Sequence, residues 1–515
     1  MFRTLFWSLF LLGFFAIPLM IVAGDVRREP GIFWILSTAF MVVALCLAVE
    51  RNIGWRVILT IAGTAFVFLN VALTISFASQ GTAFNSAFFA HLDPSTLKIA
   101  IKTDLVRMSV LGIYLLATPI VIFLAIKNMR PVPHTVLRMG IALTSAIFSL
   151  WANYPINAYA DFRESTFRTS ARLNNEITRL QQGTKSSGII QAPNALNLVL
   201  IYLESLEETY FNEALFPGLL PQIKSLASEG LWFRDFQQYP GTGWTIGGIV
   251  SSQCGVPLLS EMGGNSVLNE VNNPFSEITC LAEYLKQAGY RNAYVGGASL
   301  SFAGKGQFLQ DNGYDAVLGI DELPSATAHS WGMYDANLFD NARTIFDGLA
   351  ESAEPFHLAV LTLDTHHPFG TPSPGCASYT AKRSMMLDAV HCADKLITEF
   401  IEYIRRSPVG SNTVIAIVSD HLLIQGDMIP TLEQQERTLF FLLLHPDLPS
   451  TQHEGPSSHF DIAPTLLDAA GLRGFSFAFG HSLLAHDIGR AQQLNLTERD
   501  MQTFKVENLL QAESN

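Results

Sequence analysis

The sequence of 515 residues has few charged residues and no surplus of basic ones. Charged side chains make up 15% of the chain, whereas a soluble globular protein has about 25%. The 32 Lys and Arg residues stand against 45 Asp and Glu residues, a net charge of −13, so the basic footprint of a nucleic-acid-binding protein is missing. Apolar residues make up 49%, which excludes an intrinsically disordered chain, because such chains combine low hydrophobicity with high net charge.

The charges that are present are unevenly distributed. Residues 1–153 contain 11 basic and 5 acidic residues, a net charge of +6, which leaves −19 for residues 154–515. This contrast predicts two domains in series. We expect a membrane domain at 1–153, a polar helical linker at 154–193, a globular domain at 194–490 and a C-terminal tail at 491–515.

Long apolar runs occupy most of the first domain. A helix needs about 20 apolar residues to cross a bilayer, where lipid cannot satisfy backbone polar groups. Five runs come close to that length: 5–23, 31–49, 57–78, 106–126 and 135–153. A cleaved signal peptide is the alternative for the first run, but no small-residue cleavage site stands out after Ala23. The sequence therefore predicts five membrane-spanning helices.

Two features indicate the side of the membrane on which the second domain lies. With the N-terminus in the cytoplasm, six basic residues of the first domain would be inside and five outside, a weak positive-inside bias. Four of the five cysteines lie in the second domain, and such an even set fits two disulfides formed in an oxidising compartment; four free thiols are the alternative. The expected pairs, which each close a short loop, are Cys254 with Cys280 and Cys376 with Cys392.

From residue 196 onward, short apolar runs alternate with amphipathic segments. The runs 196–204, 291–297, 356–364, 412–420 and 439–445 are typical of buried strands. The segments 220–230, 280–290 and 390–406 are typical of helices. This alternation predicts an α/β domain with a mostly parallel sheet and helices on both faces. In such sheets, ligands bind beyond the carboxyl ends of the strands.

Polar side chains follow three of these strands where each strand ends. Glu204 follows the first, the segment from Asp364 to His367 follows the third, and Asp420 with His421 follows the fourth. Any one of them could belong to an ordinary loop. Together, Glu204, Asp420 and His421 offer two hard oxygens and one imidazole nitrogen, which suits Zn²⁺ or Mn²⁺. The sequence therefore predicts a divalent metal site at this edge of the sheet.

A hydroxyl next to such a site could act as a nucleophile. In the stretch 240–255, a glycine-rich turn is followed by small and apolar residues at helical spacing. Thr245 would lie at the helix start, where the helix dipole favours an anion, and a metal would lower the pKa of its hydroxyl. Thr245 could equally be a simple helix cap. Thr242 and Ser251 are rival hydroxyls, and spacing alone does not exclude Thr242.

The second domain resembles the sulfatase-like branch of the alkaline phosphatase superfamily in six ordered motifs: IYLESLE, GTGWTIGGIVSSQCGVPL, FAGKGQFLQDNGYD, LTLDTHHPF, VSDH and HFDIAPTLLDAAG. Within that branch it is similar to the membrane phosphoglycerol transferases that modify osmoregulated periplasmic glucans. Lipoteichoic acid synthases and lipid A phosphoethanolamine transferases are similar in the same motifs and in their five-span layout.

The resemblance implies a role for each matching residue. Glu204, Thr245, Asp420 and His421 would bind one divalent ion (Mn²⁺ or Zn²⁺, with Mg²⁺ as a further candidate), and Thr245 rather than Thr242 would be the nucleophile. The residues that would contact substrate are Lys305, His366 and His459. A structural role is the alternative for His459 and is expected for Asp364 and His367. The sequence departs from teichoic acid synthases at Ala303, where they have an aromatic residue.

The resemblance also implies an activity. The protein would transfer phosphoglycerol from phosphatidylglycerol to a periplasmic glycan through a phosphothreonine intermediate, releasing diacylglycerol. It would be a multi-pass protein of the bacterial inner membrane with its catalytic domain in the periplasm. The main alternative is phosphoethanolamine transfer to lipopolysaccharide or another glycan, and an inactive membrane scaffold is a weaker one. A hydrolytic sulfatase is excluded, because it needs a Cys or Ser in C/S-x-P-x-R and Thr245 is followed by Ile-Gly-Gly-Ile.

Overall fold

The computed structural model describes residues 2–22, 31–80, 105–131, 136–151, 195–258, 268, 275, 278–324, 327–489 and 492. The predicted linker at 154–193 lies outside the described residues, as does the predicted tail at 491–515 apart from Gln492. The chain divides into two compact units, which are described separately.

The first unit is helical and contains a helix at each of the five predicted apolar runs. The helices are α1 (Phe2–Val22), α2 (Gly31–Ala48), α3 (Ile53–Gln80), α4 (Leu105–Asn128) and α5 (Val136–Trp151). Two segments are long and apolar enough to cross a membrane, Ile53–Ala72 and Met108–Asn128. The other three apolar segments are shorter in the described part of the chain. Five spans therefore stay a prediction, with two helices of full length.

Buried polar contacts join helices of this unit, and its surface exposes many apolar side chains. Helices α2 and α5 exchange hydrogen bonds, because each of Ser37 and Ser149 donates its hydroxyl to the carbonyl oxygen of the other, at 2.8 and 2.7 Å. Arg138 of α5 forms a largely buried ion pair with Glu50. Of the described large apolar side chains that are exposed, 26 lie in this unit and three in the second. Such a surface suits contact with lipid rather than water.

The second unit is built on a nine-stranded, mostly parallel sheet. Its strands are β1 (Asn197–Leu203), β2 (Leu231–Gln237), β3 (Arg291–Gly296), β4 (Ala316–Leu318), β5 (Phe356–Leu361), β6 (Thr413–Ser419), β7 (Leu439–Leu444), β8 (Thr451–His453) and β9 (Ser457–Ser458). The order is β4-β3-β5-β1-β6-β7-β2-β8, with β9 beside β2. The five strands β4, β3, β5, β1 and β6 are parallel to one another, and β7 is antiparallel to both of its neighbours, β6 and β2. The five predicted strands are β1, β3, β5, β6 and β7.

The described residues of this unit form eight helices: α6 (Pro221–Ala227), α7 (Thr245–Cys254), α8 (Leu281–Gln287), α9 (Lys305–Asp311), α10 (Asp335–Ala350), α11 (Met385–Arg406), α12 (Ile429–Leu432) and α13 (Ile462–Ala469). One buried apolar cluster packs α6, α10 and α11 against the sheet. Every residue of β1, β5, β6 and β7 is buried, as expected for strands that are covered on both faces.

The register of the central strands brings their carboxyl ends to one level. Tyr202 of β1 lies opposite Leu361 of β5, and Leu203 of β1 lies opposite Ser419 of β6. The residues that directly follow β1 and β6, Glu204 and Asp420, therefore emerge side by side. This is the edge at which the sequence predicts the site.

Two disulfides join helices of this unit to neighbouring segments. Cys254, the last residue of α7, is bonded to Cys280, which precedes α8. Cys376 is bonded to Cys392 in the second turn of α11. Both pairs are those that the sequence predicts, and Cys46 of α2 is a free buried thiol.

Candidate active site

Glu204, Asp420 and His421 form a buried cluster just beyond β1 and β6. One ligand atom from each lies within 4.8 Å of the others, and each residue is at most 1% exposed. The Nε2 atom of His421 is 3.3 Å from a carboxylate oxygen of Glu204 and 3.5 Å from Oδ2 of Asp420. The structure thus brings together the three residues predicted to bind a metal.

The imidazole of His421 is oriented for ligation through Nε2. Its Nδ1 atom lies 2.8 Å from the carbonyl oxygen of Leu422, so we assign the proton to Nδ1, which donates to that carbonyl. Burial lowers the pKa of His421, but the charges of Asp420 and Glu204 outweigh it and raise the pKa to about 9, so Nε2 also carries a proton in the metal-free site. A divalent ion would displace that proton and use the lone pair of Nε2, which points toward the two carboxylates. A backbone carbonyl that accepts from the far nitrogen is the usual partner of a metal-binding histidine.

The two carboxylates need a cation between them. Oδ1 of Asp420 accepts backbone N–H bonds from Ser205 at 2.9 Å and from His421 at 2.7 Å. Oδ2 is buried and has no hydrogen-bond partner among the described residues. Burial, followed by the charge of Glu204, raises the pKa of Asp420 well above its usual range. A divalent ion would satisfy this oxygen and remove the repulsion, so the residues present fit such an ion.

Burial alone would raise the pKa of Glu204 as well, but its neighbours outweigh it. The positive charges of His366 and His421 hold the pKa of Glu204 well below its usual range, together with hydrogen bonds from His421 and Ser205. The Ser205 hydroxyl donates to Oε1 of Glu204 at 2.7 Å. Glu204 is therefore the ionised carboxylate of the cluster.

Thr245 is the first residue of α7 and places its hydroxyl at the cluster. Oγ1 donates to Oε2 of Glu204 at 3.2 Å and lies 3.5 Å from Nε2 of His421. No side chain caps this helix start, so Thr245 does not act as a helix cap. The helix can approach this closely because residue 248 is glycine: a Cβ there would lie 2.1 Å from the carbonyl oxygen of Asp420.

Neither rival hydroxyl forms a hydrogen bond with the cluster, and that of Ser251 has no hydrogen-bond partner among the described residues. Thr242 donates to the carbonyl oxygen of Tyr239 at 2.8 Å and accepts from the Tyr239 N–H at 3.1 Å, so its hydroxyl closes a turn. Ser251 is fully buried in α7. Among these three hydroxyls, the geometry favours Thr245 as the nucleophile.

His366 lies beside the cluster, under an aromatic side chain that the sequence does not single out. Ligand atoms of Glu204, His366 and His367 lie within 4.8 Å of one another. The ring of Trp331 covers His366 with 3.8 Å between ring centroids, and His367 stacks on it at 4.4 Å. Trp331 is 35 residues away in the sequence, in a loop before α10, where no local pattern marks it.

Lys305, the first residue of α9, is 3% exposed. It follows two residues with left-handed backbone, Ala303 at φ 59° and Gly304 at φ 67°. Burial lowers the pKa of Lys305 to about 8, against the charges of Glu204 and Asp420, which raise it. The ammonium of Lys305 thus interacts electrostatically with both carboxylates of the cluster, which is where a group that binds the substrate phosphate would be needed.

His459 is brought close to the cluster but beneath it. It is fully buried, and its Nε2 lies 3.2 Å from the carbonyl oxygen of Ser419, the last residue of β6. Burial lowers its pKa to about 4. A neutral ring that supports the strand just before Asp420 fits a structural role better than substrate contact.

Comparisons with known proteins give relatives for this arrangement. The family model described as Sulfatase matches residues 196–472. The chain is similar to phosphoglycerol transferase I of Xanthomonas campestris pv. campestris strain B100, with 42% identity over 56% of this chain and 43% of that protein. It is 33% identical to phosphoglycerol transferase I of Salmonella heidelberg over 87% of this chain and 59% of that protein. The chain thus spans about half the length of the curated relatives it matches.

A solved structure extends the likeness in fold to both units. The integral membrane protein lipooligosaccharide phosphoethanolamine transferase A (EptA) from Neisseria meningitidis aligns with a TM-score of 0.50 at 12% identity, covering 92% of this chain and 95% of that one. The Sulfatase model covers all the strands of the sheet and the residues of the cluster, more than half of the chain. The chain belongs to the sulfatase family.

Proposed function

We propose that this protein transfers a substituted phosphoryl group, phosphoglycerol, from phosphatidylglycerol to a hydroxyl of a periplasmic glycan. The acceptor would be an osmoregulated periplasmic glucan, and diacylglycerol would be released. The likeness to proteins named phosphoglycerol transferase I supports this proposal. The observation that carries it is the hydroxyl of Thr245 at the start of α7, 3.2 Å from the buried carboxylate of Glu204.

The reaction would proceed in two displacements at phosphorus. Oγ of Thr245 gives up its proton and forms a bond to the phosphorus of the lipid, and the bond from phosphorus to the diacylglycerol oxygen breaks; that oxygen takes up a proton. An acceptor hydroxyl then gives up its proton and forms a bond to phosphorus, and the bond from phosphorus to Oγ of Thr245 breaks; Oγ takes up a proton. Thr245 lies at the N-terminal end of α7, where the backbone N–H groups favour negative charge on the attacking oxygen.

The remaining residues would bind the phosphate and the ion. Glu204, Asp420 and His421 would hold the divalent ion together with Thr245, and His366 and Lys305 would bind the phosphate oxygens. A bound divalent ion supplies Lewis acidity, which lowers the pKa of the Thr245 hydroxyl and offsets charge at phosphorus. Trp331 would fix the plane of His366.

We propose that α1 to α5 all cross the bacterial inner membrane and that the second unit lies in the periplasm. Contacts at the helix ends support alternating spans. Arg3 at the start of α1 donates to the side chain of Asn128 at the end of α4 at 2.9 Å, and Arg56 near the start of α3 donates to the Lys127 carbonyl at 2.7 Å. These basic residues gather at one end of the helical unit, as expected for a cytoplasmic side. The two disulfides suit an oxidising compartment.

Phosphoethanolamine transfer to lipopolysaccharide or another glycan is the second candidate, and one observation favours it. An ethanolamine ammonium needs a carboxylate or an aromatic cage. The stretch 297–307 contains no acidic residue. However, Ser299 in this stretch donates to a carboxylate oxygen of Asp321 at 2.8 Å. A carboxylate is therefore present beside the segment that would meet the headgroup.

The test offers each donor lipid separately. Purified protein in vesicles of phosphatidylglycerol or phosphatidylethanolamine is assayed for diacylglycerol, and intact-mass spectrometry of a digest detects the adduct on the peptide that contains Thr245. We expect release from phosphatidylglycerol, abolished by Thr245→Ala and retained by the matched control Thr242→Ser, which keeps the hydroxyl of the turn. Release from phosphatidylethanolamine alone would favour the second candidate. An active Thr245→Ala enzyme would exclude Thr245 as the nucleophile.

A further inference from the structure

Two large apolar side chains are exposed to solvent beside the candidate active site. Among the described residues of the second unit, the exposed large apolar side chains are Phe369 (46%), Met385 (56%) and Ile488 (41%). A folded domain tolerates single exposed apolar residues, but neighbouring ones at a site mark an interaction surface. Phe369 and Met385 are such neighbours.

The two side chains lie on segments that are packed together. Phe369 precedes Gly370, and a Cβ at Gly370 would lie 2.9 Å from Cα of Met386 and 3.3 Å from the carbonyl oxygen of Met385. Gly370 also donates its N–H to the carbonyl oxygen of His366 at 3.1 Å. The loop that carries His366 therefore continues directly into Phe369 and rests against the start of α11.

The start of α11 is held in a fixed position. The hydroxyl of Ser384 accepts the N–H of Leu387 at 3.4 Å and caps the helix. The disulfide between Cys376 and Cys392 ties the same helix to the preceding loop. Met385, in the first turn, is therefore presented outward from a fixed helix end.

Two basic residues stand next to this apolar pair. Lys382 and Arg383 are exposed, and no carboxylate of the described residues lies within 4.0 Å of either one; Lys382 instead has its ammonium 5.6 Å from the ring of Phe216 and 3.4 Å from the hydroxyl of Thr431. The region from 154 onward carries a net charge of −19, so two neighbouring cations without an acidic partner are a local exception. Basic residues beside exposed apolar ones are the combination that binds an anionic lipid surface.

We propose that Phe369, Met385, Lys382 and Arg383 form a membrane-contact rim that docks on an anionic phospholipid surface beside the active site. The apolar pair enters the boundary between headgroups and acyl chains, and the basic pair binds lipid phosphates. This inference rests on the proposed function in one respect: a lipid donor must reach His366 and Thr245 from the bilayer, and the rim is continuous with the loop of His366. It adds the surface through which the site would meet the bilayer.

The test measures the depth of spin labels in the full-length protein. In a Cys46→Ala background, the variants Phe369→Cys and Met385→Cys are labelled with a nitroxide and reconstituted in nanodiscs that contain phosphatidylglycerol, or phosphatidylcholine alone. Lys395→Cys, an exposed position on the same helix, is the matched control. We expect the ratio of oxygen to nickel-chelate accessibility at 369 and 385 to exceed that at 395 by about threefold or more in the anionic discs, as for side chains in the interface. Adding the charge reversals Lys382→Glu and Arg383→Glu should return the labels to water.

Each other outcome contradicts the rim. Labels at 369 and 385 that are as water-accessible as at 395 would show that this surface does not meet the bilayer. Equal depth in neutral discs, or no effect of charge reversal, would exclude an anionic lipid surface as the partner. Diacylglycerol release from wild type in the same discs is measured alongside. Release with water-exposed labels would refute the rim alone, and lipid-buried labels without release from any donor would refute the proposed function alone.

Discussion

Replacing Asp420 with asparagine should change the stability of the second unit in opposite directions with and without metal. The side chain of Asp420 is buried, with Oδ2 lacking a hydrogen-bond partner among the described residues, and burial, followed by the charge of Glu204, raises its pKa. Without a cation, this carboxyl group therefore destabilises the fold. Asparagine keeps an oxygen that accepts from Ser205 and His421, and its amide can donate to Glu204.

The two magnitudes follow from general thermodynamics. In chelator, Asp420→Asn should stabilise by on the order of 1–3 kcal/mol, the range for a buried polar group that gains its missing partner. Metal at a thousandfold excess over its Kd stabilises the wild type by about 4 kcal/mol. An unfolding entropy of about 2.1 cal/mol/K per residue gives about 0.6 kcal/mol/K for about 300 residues. The melting temperature of Asp420→Asn should therefore lie about 2–5 °C above wild type in chelator, while metal should raise the wild type by about 7 °C.

The assay is thermal unfolding of purified protein, followed by tryptophan fluorescence with chelator and with excess Mn²⁺ or Zn²⁺. Asp394→Asn is the matched control, because Asp394 is buried and accepts the N–H groups of Gln222 and Ile223 at the start of α6. Its metal-induced shift should equal that of wild type. The reasoning fails if Asp420→Asn melts no higher than wild type in chelator, or if metal stabilises the variant as much as it stabilises the wild type.

Three further changes test other parts of the site and its scaffold. Gly248→Ala places a Cβ 2.1 Å from the carbonyl oxygen of Asp420. Elemental analysis should therefore find that the variant has lost its metal, and its diacylglycerol release should be at least about tenfold lower. In the control Gly348→Ala the new Cβ meets nothing within 4 Å, so this variant should keep its metal and its activity and stabilise α10 by about 1 kcal/mol. Trp331→Ala should lower kcat for diacylglycerol release about tenfold with little change in melting temperature, and Trp331→Phe should recover part of the lost kcat. An equal kcat in the wild type and both variants would contradict a positioning role for Trp331. Burial lowers the pKa of His357 from 6.5 to about 4. Between these two values the unfolded chain binds a proton that the folded protein does not, so the free energy of unfolding should fall by about 3 kcal/mol as the pH drops from 6.5 to 4. His357→Gln should flatten that part of the plot of stability against pH, and an unchanged plot would assign the acid sensitivity to other groups.

The central strands could be predicted from the sequence because they are buried on both faces. Mostly apolar runs predict β1, β3, β5, β6 and β7 to within about three residues. The strand β2 was missed, because its residues LWFRDFQ include two charged side chains and lie in part at the surface. The direction of β7 could not be predicted from its composition either. The strand β7 is fully buried and apolar, as a parallel strand would be. However, the connection from β6 contains only the four-residue helix α12, which is too short for the helical crossover that a parallel neighbour needs, and β7 is antiparallel to β6.

The candidate site could be predicted where its residues follow strand ends, and not where distant loops contribute. Glu204, Asp420 and His421 are next to strands in the sequence, so the rule for parallel sheets brings them together. Ser205 also follows β1, but its hydrogen bonds to both carboxylates depend on a left-handed backbone at φ 52°, which no pattern indicates. Trp331 reaches His366 from a loop 35 residues earlier, and only the folded structure reveals that contact. His459 matched a motif of relatives, yet the structure buries it beneath the site.

The charges of the site explain why a cation should matter for binding the donor as well as for activating Thr245. In the metal-free site Glu204 is ionised, whereas the raised pKa of Asp420 favours its protonated form. Holding a divalent ion would require both carboxylates to be ionised, which presents two negative charges to a phosphodiester that carries one of its own, in a region with a net charge of −19. A divalent ion cancels those two charges. With those charges cancelled, the ammonium of Lys305 would leave the site positively charged, which attracts the phosphodiester. The pKa of about 8 keeps Lys305 mainly protonated at pH 7. Because buried charges are only weakly screened, the ion would let both carboxylates be ionised without repelling the phosphate that Lys305 attracts.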